Sequence, residues 1–85
     1  PFETQINIQK IEKTSFYDVE MILADRPGLL ANIAYIFLKH GIDLHSAKIN
    51  TLGNRAEDHF VVSGMHGHEI SSQGLRSLTD DLLVL

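Results

Sequence analysis

Apolar and polar residues alternate near the start of the chain. Ile6 and Ile8 stand against Asn7 and Gln9, which predicts a strand over 5–11. The polar stretch from Glu12 to Ser15 fits a hairpin turn. Tyr17, Val19, Met21 and Leu23 then share one parity, with Asp18 and Glu20 on the other, so a second strand follows. Asp25-Arg26-Pro27-Gly28 breaks it. Asp25 is expected to cap the free N–H groups of a helix start, and Pro27 is tolerated in the first turn. From Leu29 the period becomes helical. Leu29, Ile33 and Phe37 are four apart, with Leu30, Ala34 and Leu38 beside them. Gly41 suits the left-handed position that closes a helix, and Lys39 and His40 place positive charge in its last turn.

The segment 42–52 reads as a strand with a phase slip. Ile42 and Leu44 have one parity; Ala47, Ile49 and Thr51 have the other. One extra residue near His45 or Ser46 reconciles them, which predicts a bulge. Gly53-Asn54 reads as a tight hairpin, and 55–63 as its return strand with Phe60 and Val62 inward. A loop at 64–69 leads to a second helix, capped by Ser71 or Ser72 and carrying Leu75, Leu78 and Leu82. Gly74 weakens that helix by up to about 1 kcal/mol relative to Ala. Leu83 to Leu85 is either its last turn or the start of another strand.

The order without the first strand is βαββα, one strand short of the ferredoxin-like plan. A hairpin over 5–24 places the N-terminal strand antiparallel to the first core strand, where the missing fourth strand belongs. The expected fold is therefore α+β: a two-layer sandwich with an antiparallel four-stranded sheet and two helices on one face. The other face would carry Glu20, Ile22, Lys48, Asn50, His59 and Val61, a mixed surface suited to docking.

Composition narrows the function. With 85 residues the chain is one domain, and a domain this short buries only about 60% of the surface its unfolded chain exposes. Pairing with a copy or a neighbour is a common remedy. The 44% hydrophobic and 21% charged residues are globular proportions. With no Cys, disulfide, zinc-finger and thiol chemistry are excluded, which fits a reducing compartment. A net charge of −4 argues against non-specific nucleic-acid binding. No apolar run approaches the roughly 20 residues of a membrane span. The stretch 1–11 is too polar for a signal peptide, so a cytoplasmic location is expected. Because the chain starts at Pro1 without Met, it reads as a piece of a longer protein.

Catalytic signatures are missing. There is no Walker loop, no Gly-x-Gly-x-x-Gly and no Gly-x-Ser-x-Gly. His66, His68 and Glu69 invite a metal reading, but three or four converging ligands are needed, so a solvated loop is preferred and no metal is expected. His40 reads as a helix-end cation and His59 as a sheet-face residue. Glu57 and Asp58 point to opposite faces of a strand and cannot easily share a site. Asp80 and Asp81 read as a solvated helix end, and Arg55 with Glu57 as a surface ion pair. One place favours a ligand: the strand-to-helix segment 25–30. A helix start offers unpaired N–H groups and partial positive charge, and Gly28 permits close approach of a carboxylate. The bulge at His45-Ser46 frees backbone groups. Together they could hold the carboxylate and amino group of a free amino acid. Taken by themselves, though, these features favour ordinary capping beside a strand irregularity.

Asp25-Arg26-Pro27-Gly28-Leu29-Leu30-Ala31, then Ile33-Ala34, Phe37 and Gly41-Ile42-Asp43-Leu44, resembles the ACT domain pattern. In that family Asp-x-Pro-Gly opens the first helix and Gly-Ile/Leu precedes the second strand. The run from His45 through Ala47-Lys48-Ile49-Asn50-Thr51-Leu52-Gly53-Asn54-Arg55-Ala56-Glu57-Asp58-His59-Phe60 is similar to the last ACT domain of the bacterial protein-PII uridylyltransferase family. The strong likeness covers 16–63. It implies an ACT core over 16–85, preceded by a strand and hairpin at 1–15. It also implies a regulatory domain that senses an amino acid, glutamine above all, beside a neighbouring ACT domain or a copy of itself. The ligand residues it implies are Asp25, Pro27, Gly28, Leu29 and Leu30 in the loop, with Asp43, Leu44 and His45 facing it. In the parent, a nucleotidyltransferase domain that would use Mg2+ attaches UMP to the PII signalling protein, and an HD-type hydrolase domain removes it. Neither has its motif here, so this chain is not expected to be an enzyme or to carry a cofactor. One departure is Val62-Ser63-Gly64, where the family often continues with Thr and Asp.

Other classes fit less well. An RNA-binding ferredoxin-like domain needs exposed aromatics on central strands, and Phe60 points inward by parity. A metal carrier of this fold needs a Cys pair. A ligand-free ACT dimerisation module of another metabolic enzyme stays open as the alternative.

Overall fold

The computed structural model describes residues 3–85; Pro1 and Phe2, the start of the arm expected at 1–15, lie outside the described residues. The elements are β1 (Gln5–Lys10), β2 (Tyr17–Ala24), α1 (Leu29–Lys39), β3 (Ile42–Lys48), β4 (Thr51–Leu52), β5 (Arg55–Gly64) and α2 (Ser72–Leu83). A short 3-10 turn, Met65–Gly67, joins β5 to the segment before α2. The strand order is β1-β2-β5-β3, antiparallel at every step, and β4 pairs with the start of β5. This is the ferredoxin-like arrangement with its fourth position filled from the N-terminus. β1 lies against β2 from Gln5↔Ile22 to Lys10↔Tyr17. The 42–52 segment differs from the sequence expectation in one respect. It is two strands, interrupted at Ile49-Asn50, because the Asn50 backbone turns to pair with Glu57 and Asp58.

The period-2 pattern of β2 sorts its residues by face. Tyr17, Val19, Met21 and Leu23 are buried under the helices. Ala56, Phe60 and Val62 join them from β5, and Leu29, Ile33, Ile36, Phe37, Leu78 and Leu82 close the core from α1 and α2. Phe37 and Phe60 meet edge to face at 5.4 Å. Ile6 and Ile8 of β1 pack against the same core.

Side chains then lock the layers. The Tyr17 hydroxyl donates to the Ile70 carbonyl at 3.1 Å and accepts from the Ile70 N–H at 3.1 Å, tying β2 to the chain entering α2. Tyr17→Phe leaves both backbone groups without this partner. The expected cost is about 1–3 kcal/mol, and a thermal melt should fall accordingly. Ser71, rather than Ser72, caps α2: its hydroxyl accepts from the Gly74 N–H at 3.0 Å. Leu83 ends the helix, so the last residues form its terminal turn rather than a strand.

Asp81 does more than the solvated helix end expected of it. It takes His40 at 2.6 Å and Lys39 at 3.3 Å, pinning the end of α1 to α2. The His40 bond, then the Lys39 bond, hold its carboxyl below the ordinary 3.8. A depressed carboxyl stabilises the fold above its unfolded value, and that contribution disappears as pH falls through the folded one. Asp81→Asn should therefore melt lower than wild type at neutral pH, with the two melts converging in acid.

Candidate functional site

The strand-to-helix segment forms a turn that the sequence only partly foreshadows. The Leu29 N–H donates to the Arg26 carbonyl at 3.2 Å, with Pro27 and Gly28 at the centre. Gly28 has φ 80 and ψ 4, the third-position geometry of a type II turn, where Pro then Gly is the favoured pair. Gly28 is thus the N-cap of α1, and no side chain caps it. Asp25 does not cap the helix, contrary to expectation. Its own N–H is committed to the Asn54 carbonyl at 2.8 Å, which moors the loop to the β4–β5 hairpin. The first helical bond is Asn32 N–H to the Gly28 carbonyl at 3.0 Å, so the N–H groups of Leu30 and Ala31 precede the helical ladder. A Cβ on Gly28 would meet nothing within 4 Å. Gly28→Ala is therefore opposed by backbone strain alone, about 1–2 kcal/mol, and the fold should survive it.

Beneath this loop lies a buried carboxylate. Asp58 is 1% exposed, on the helix side of β5, while Glu57 faces the other way and pairs with Arg55 at 2.6 Å. One Asp58 oxygen accepts from the Asn50 N–H at 3.2 Å. Burial pushes its carboxyl upward; the Asn50 bond opposes this and the nearby charge of Asp25 adds to it. A raised carboxyl means the charged form is disfavoured in the fold. Its stabilising effect is complete below the unfolded value and fades as pH rises through the folded one. Asp58→Asn retains an acceptor for Asn50 and should flatten that dependence in urea melts across pH. Asp58→Ala removes the acceptor and should cost about 1–3 kcal/mol.

The edge strand carries the predicted bulge. Leu44 pairs with Val62 and Ser46 with Val61, leaving His45 as the extra residue. The His45 ring turns onto the helix-free face, 4.3 Å from Phe16 in a stacked arrangement. Its Nε2 meets the Ser63 hydroxyl at 2.7 Å, and that hydroxyl donates to the Gly64 carbonyl at 2.7 Å. The contact clips the bulge of β3 to the end of β5. Asp43 accepts from the His66 N–H at 3.0 Å, holding the 3-10 turn.

The eight candidate residues therefore do not converge within one chain. Ala24, next to the loop, is level with Arg55, whereas Leu44 is level with Val62. Seven strand residues separate the two levels, roughly 23 Å at 3.3 Å per residue. Asp25, Pro27 and Gly28 form one end, Asp43 and His45 the other, and Leu29 is buried in the core. Only Leu30 and Leu44 share a feature. With Ile33, Ala34, Phe37, Ala47, Ile49 and Phe60 they line an apolar groove of about 260 Å³ between α1 and the unpaired edge of β3. Tyr35 and Leu38 extend the exposed apolar surface across α1. A helix apolar on nearly every side is one meant to be covered. The burial of Asp58 and the contacts of Phe16 and Ser63 with His45 escaped the sequence reading. The parity of Asp58 with Phe60 and Val62 was the available signal for the first; nothing local marks the other two.

Relatives speak to what such a domain belongs to. Over 81 residues, 95% of this chain, it is 37% identical to a protein of Psychrobacter arcticus named bifunctional uridylyltransferase/uridylyl-removing enzyme. Proteins of the same name from Pseudomonas savastanoi pv. phaseolicola and Chromobacterium violaceum are 39% identical over 98% of the chain and 45% identical over 75% of it. The chain is homologous to a segment of these enzymes. It spans only 9%, 9% and 8% of the respective uridylyltransferase/uridylyl-removing enzymes. No family model and no solved structure matches. Among the described residues no helix is long and apolar enough to cross a membrane, and no three His, Asp or Glu side chains form a metal-holding group.

Proposed function

We propose that this chain is an ACT-type regulatory domain that binds a free amino acid, glutamine, and governs a protein-PII uridylyltransferase/uridylyl-removing enzyme. The observation that carries this reading is the homology to enzymes of that name along nearly the whole chain. The type II turn at Gly28 supports it. It presents the Leu30 and Ala31 N–H groups and the positive end of α1 to a carboxylate. The other half of the site, Asp43 to His45, comes from a neighbouring ACT domain or a second copy. The separation of the two halves in one chain, and the uncovered groove beside β3, favour that arrangement. In the parent, occupancy would select between attaching UMP to PII, a reaction using Mg2+, and removing it. The domain itself does no chemistry.

Calorimetric titration with glutamine, glutamate and other amino acids tests this. Heat with glutamine, reduced at least tenfold in affinity by Gly28→Ala with the melt still cooperative, is the expected result. No heat for any amino acid under conditions where the domain is paired would instead favour a ligand-free pairing module, the reading that the wholly apolar groove supports.

A further inference from the structure

The helix-free face of the sheet carries a recess that the reading above does not use. Lys48, Asn50, Glu57 and His59 line about 150 Å³ of space there. Their placement follows from register. Lys48 stands directly opposite His59 on the neighbouring strand. The Glu57 N–H donates to the Asn50 carbonyl at 2.8 Å, so these two are opposite each other one step along. The four make a rectangle with Lys48 and Glu57 on one diagonal and the hydrogen-bonding side chains of Asn50 and His59 on the other. Diagonal neighbours on a sheet are roughly 7–8 Å apart.

The chemistry of the corners is unequal in a telling way. Glu57 gives one oxygen to Arg55 at 2.6 Å and keeps its other lone pairs. His59 is turned toward Asp18 at 3.1 Å and Glu20 at 3.6 Å, which holds the ring at the recess wall. Lys48 has no ion pair or hydrogen bond among the described residues, and neither does the Asn50 side-chain amide. Lys48 and Glu57 form no ion pair with each other, and each keeps bonding capacity. A small molecule carrying both a carboxylate and an ammonium can engage both by charge-assisted bonds.

We propose that this recess binds the zwitterionic head of a free α-amino acid, with Lys48 on its carboxylate, Glu57 on its ammonium and the Asn50 amide beside them. It would be a second site, on the opposite side of the sheet from α1 and the Gly28 turn. Its existence does not depend on which protein the domain regulates.

The test is an amide NMR titration of the chain with glycine, with L-glutamine, and with acetate and methylammonium as single-charge controls. Expected are saturable shifts at Lys48, Asn50, Glu57 and His59 with glycine and glutamine, and none with acetate or methylammonium at equal concentration. Lys48→Met and, independently, Glu57→Gln should each weaken glycine binding at least tenfold; Lys48 is exposed, so its variant should otherwise match the wild-type spectrum, while Glu57→Gln should also shift Arg55, its ion-pair partner. Absence of shifts at these four residues, or unchanged affinity in both variants, overturns the proposal. Glutamine shifts confined to Gly28–Ala31 would also overturn it while leaving the Gly28 site standing. Shifts at the recess with none at Gly28–Ala31 would do the reverse.

Discussion

Deletion of residues 1–11 should leave a chain without a cooperative thermal transition. β1 is not an appendage. It covers the open edge of β2 along six residue pairs, and its Ile6 and Ile8 pack on the core. α2 also rests against β1, so its loss unseats the helix that contributes Leu78 and Leu82, both fully buried. A single core truncation costs about 2–5 kcal/mol, and domains of this kind have about 5–15 kcal/mol in total. Losing a strand and loosening a helix exceeds that margin. Circular dichroism during heating is the check. A synthetic β1 peptide added to the deleted chain should restore the transition, since strand addition to a free edge needs no covalent link. A sharp melt from the deleted chain alone would show that the sheet is complete without β1.

The second large effect concerns the groove. Ala47 is exposed on the wall between α1 and β3, so Ala47→Glu disturbs no core contact and should move stability by no more than about 0.5 kcal/mol. If another copy covers this groove, the new carboxylate is buried there without a partner, at a cost of several kcal/mol. Self-association measured by sedimentation should weaken on the order of 100-fold or more. Glu at Tyr35, outside the groove on α1, should weaken it less. Equal association by wild type and Ala47→Glu would move the contact to another face.

Much of this architecture was legible because its signals are local. The parity of Tyr17, Val19, Met21 and Leu23 oriented β2, and the slip between Leu44 and Ala47 located the bulge at His45. The missing fourth strand, supplied by β1, followed from counting elements and from the hairpin at Glu12–Ser15. Less legible were features set by backbone geometry or by distant partners. Asp25 has the right residue type for a cap, but a type II turn placed Gly28 there and gave the Asp25 N–H to Asn54. Ile49-Asn50 continues the strand pattern, yet the buried Asp58 draws the Asn50 N–H out of line. Neither the His45–Ser63 clip nor the Tyr17–Ile70 tie could be read locally, as each joins residues far apart in sequence. For the candidate site, the loop residues were recognisable by type. Their distance from Asp43 and His45 emerged only from the register of β2 and β3 on β5.

A site shared between domains has a thermodynamic signature. A ligand that binds only the paired form must strengthen pairing, by the same factor by which pairing strengthens ligand binding. The most direct measurement is therefore sedimentation equilibrium of the chain with and without saturating glutamine. Glutamine binding in a site built from the Gly28 turn of one domain and the His45 strand of another should tighten self-association at least tenfold. Gly28→Ala should abolish the glutamine effect and leave basal association in place. An association constant that glutamine does not change would contradict the shared site.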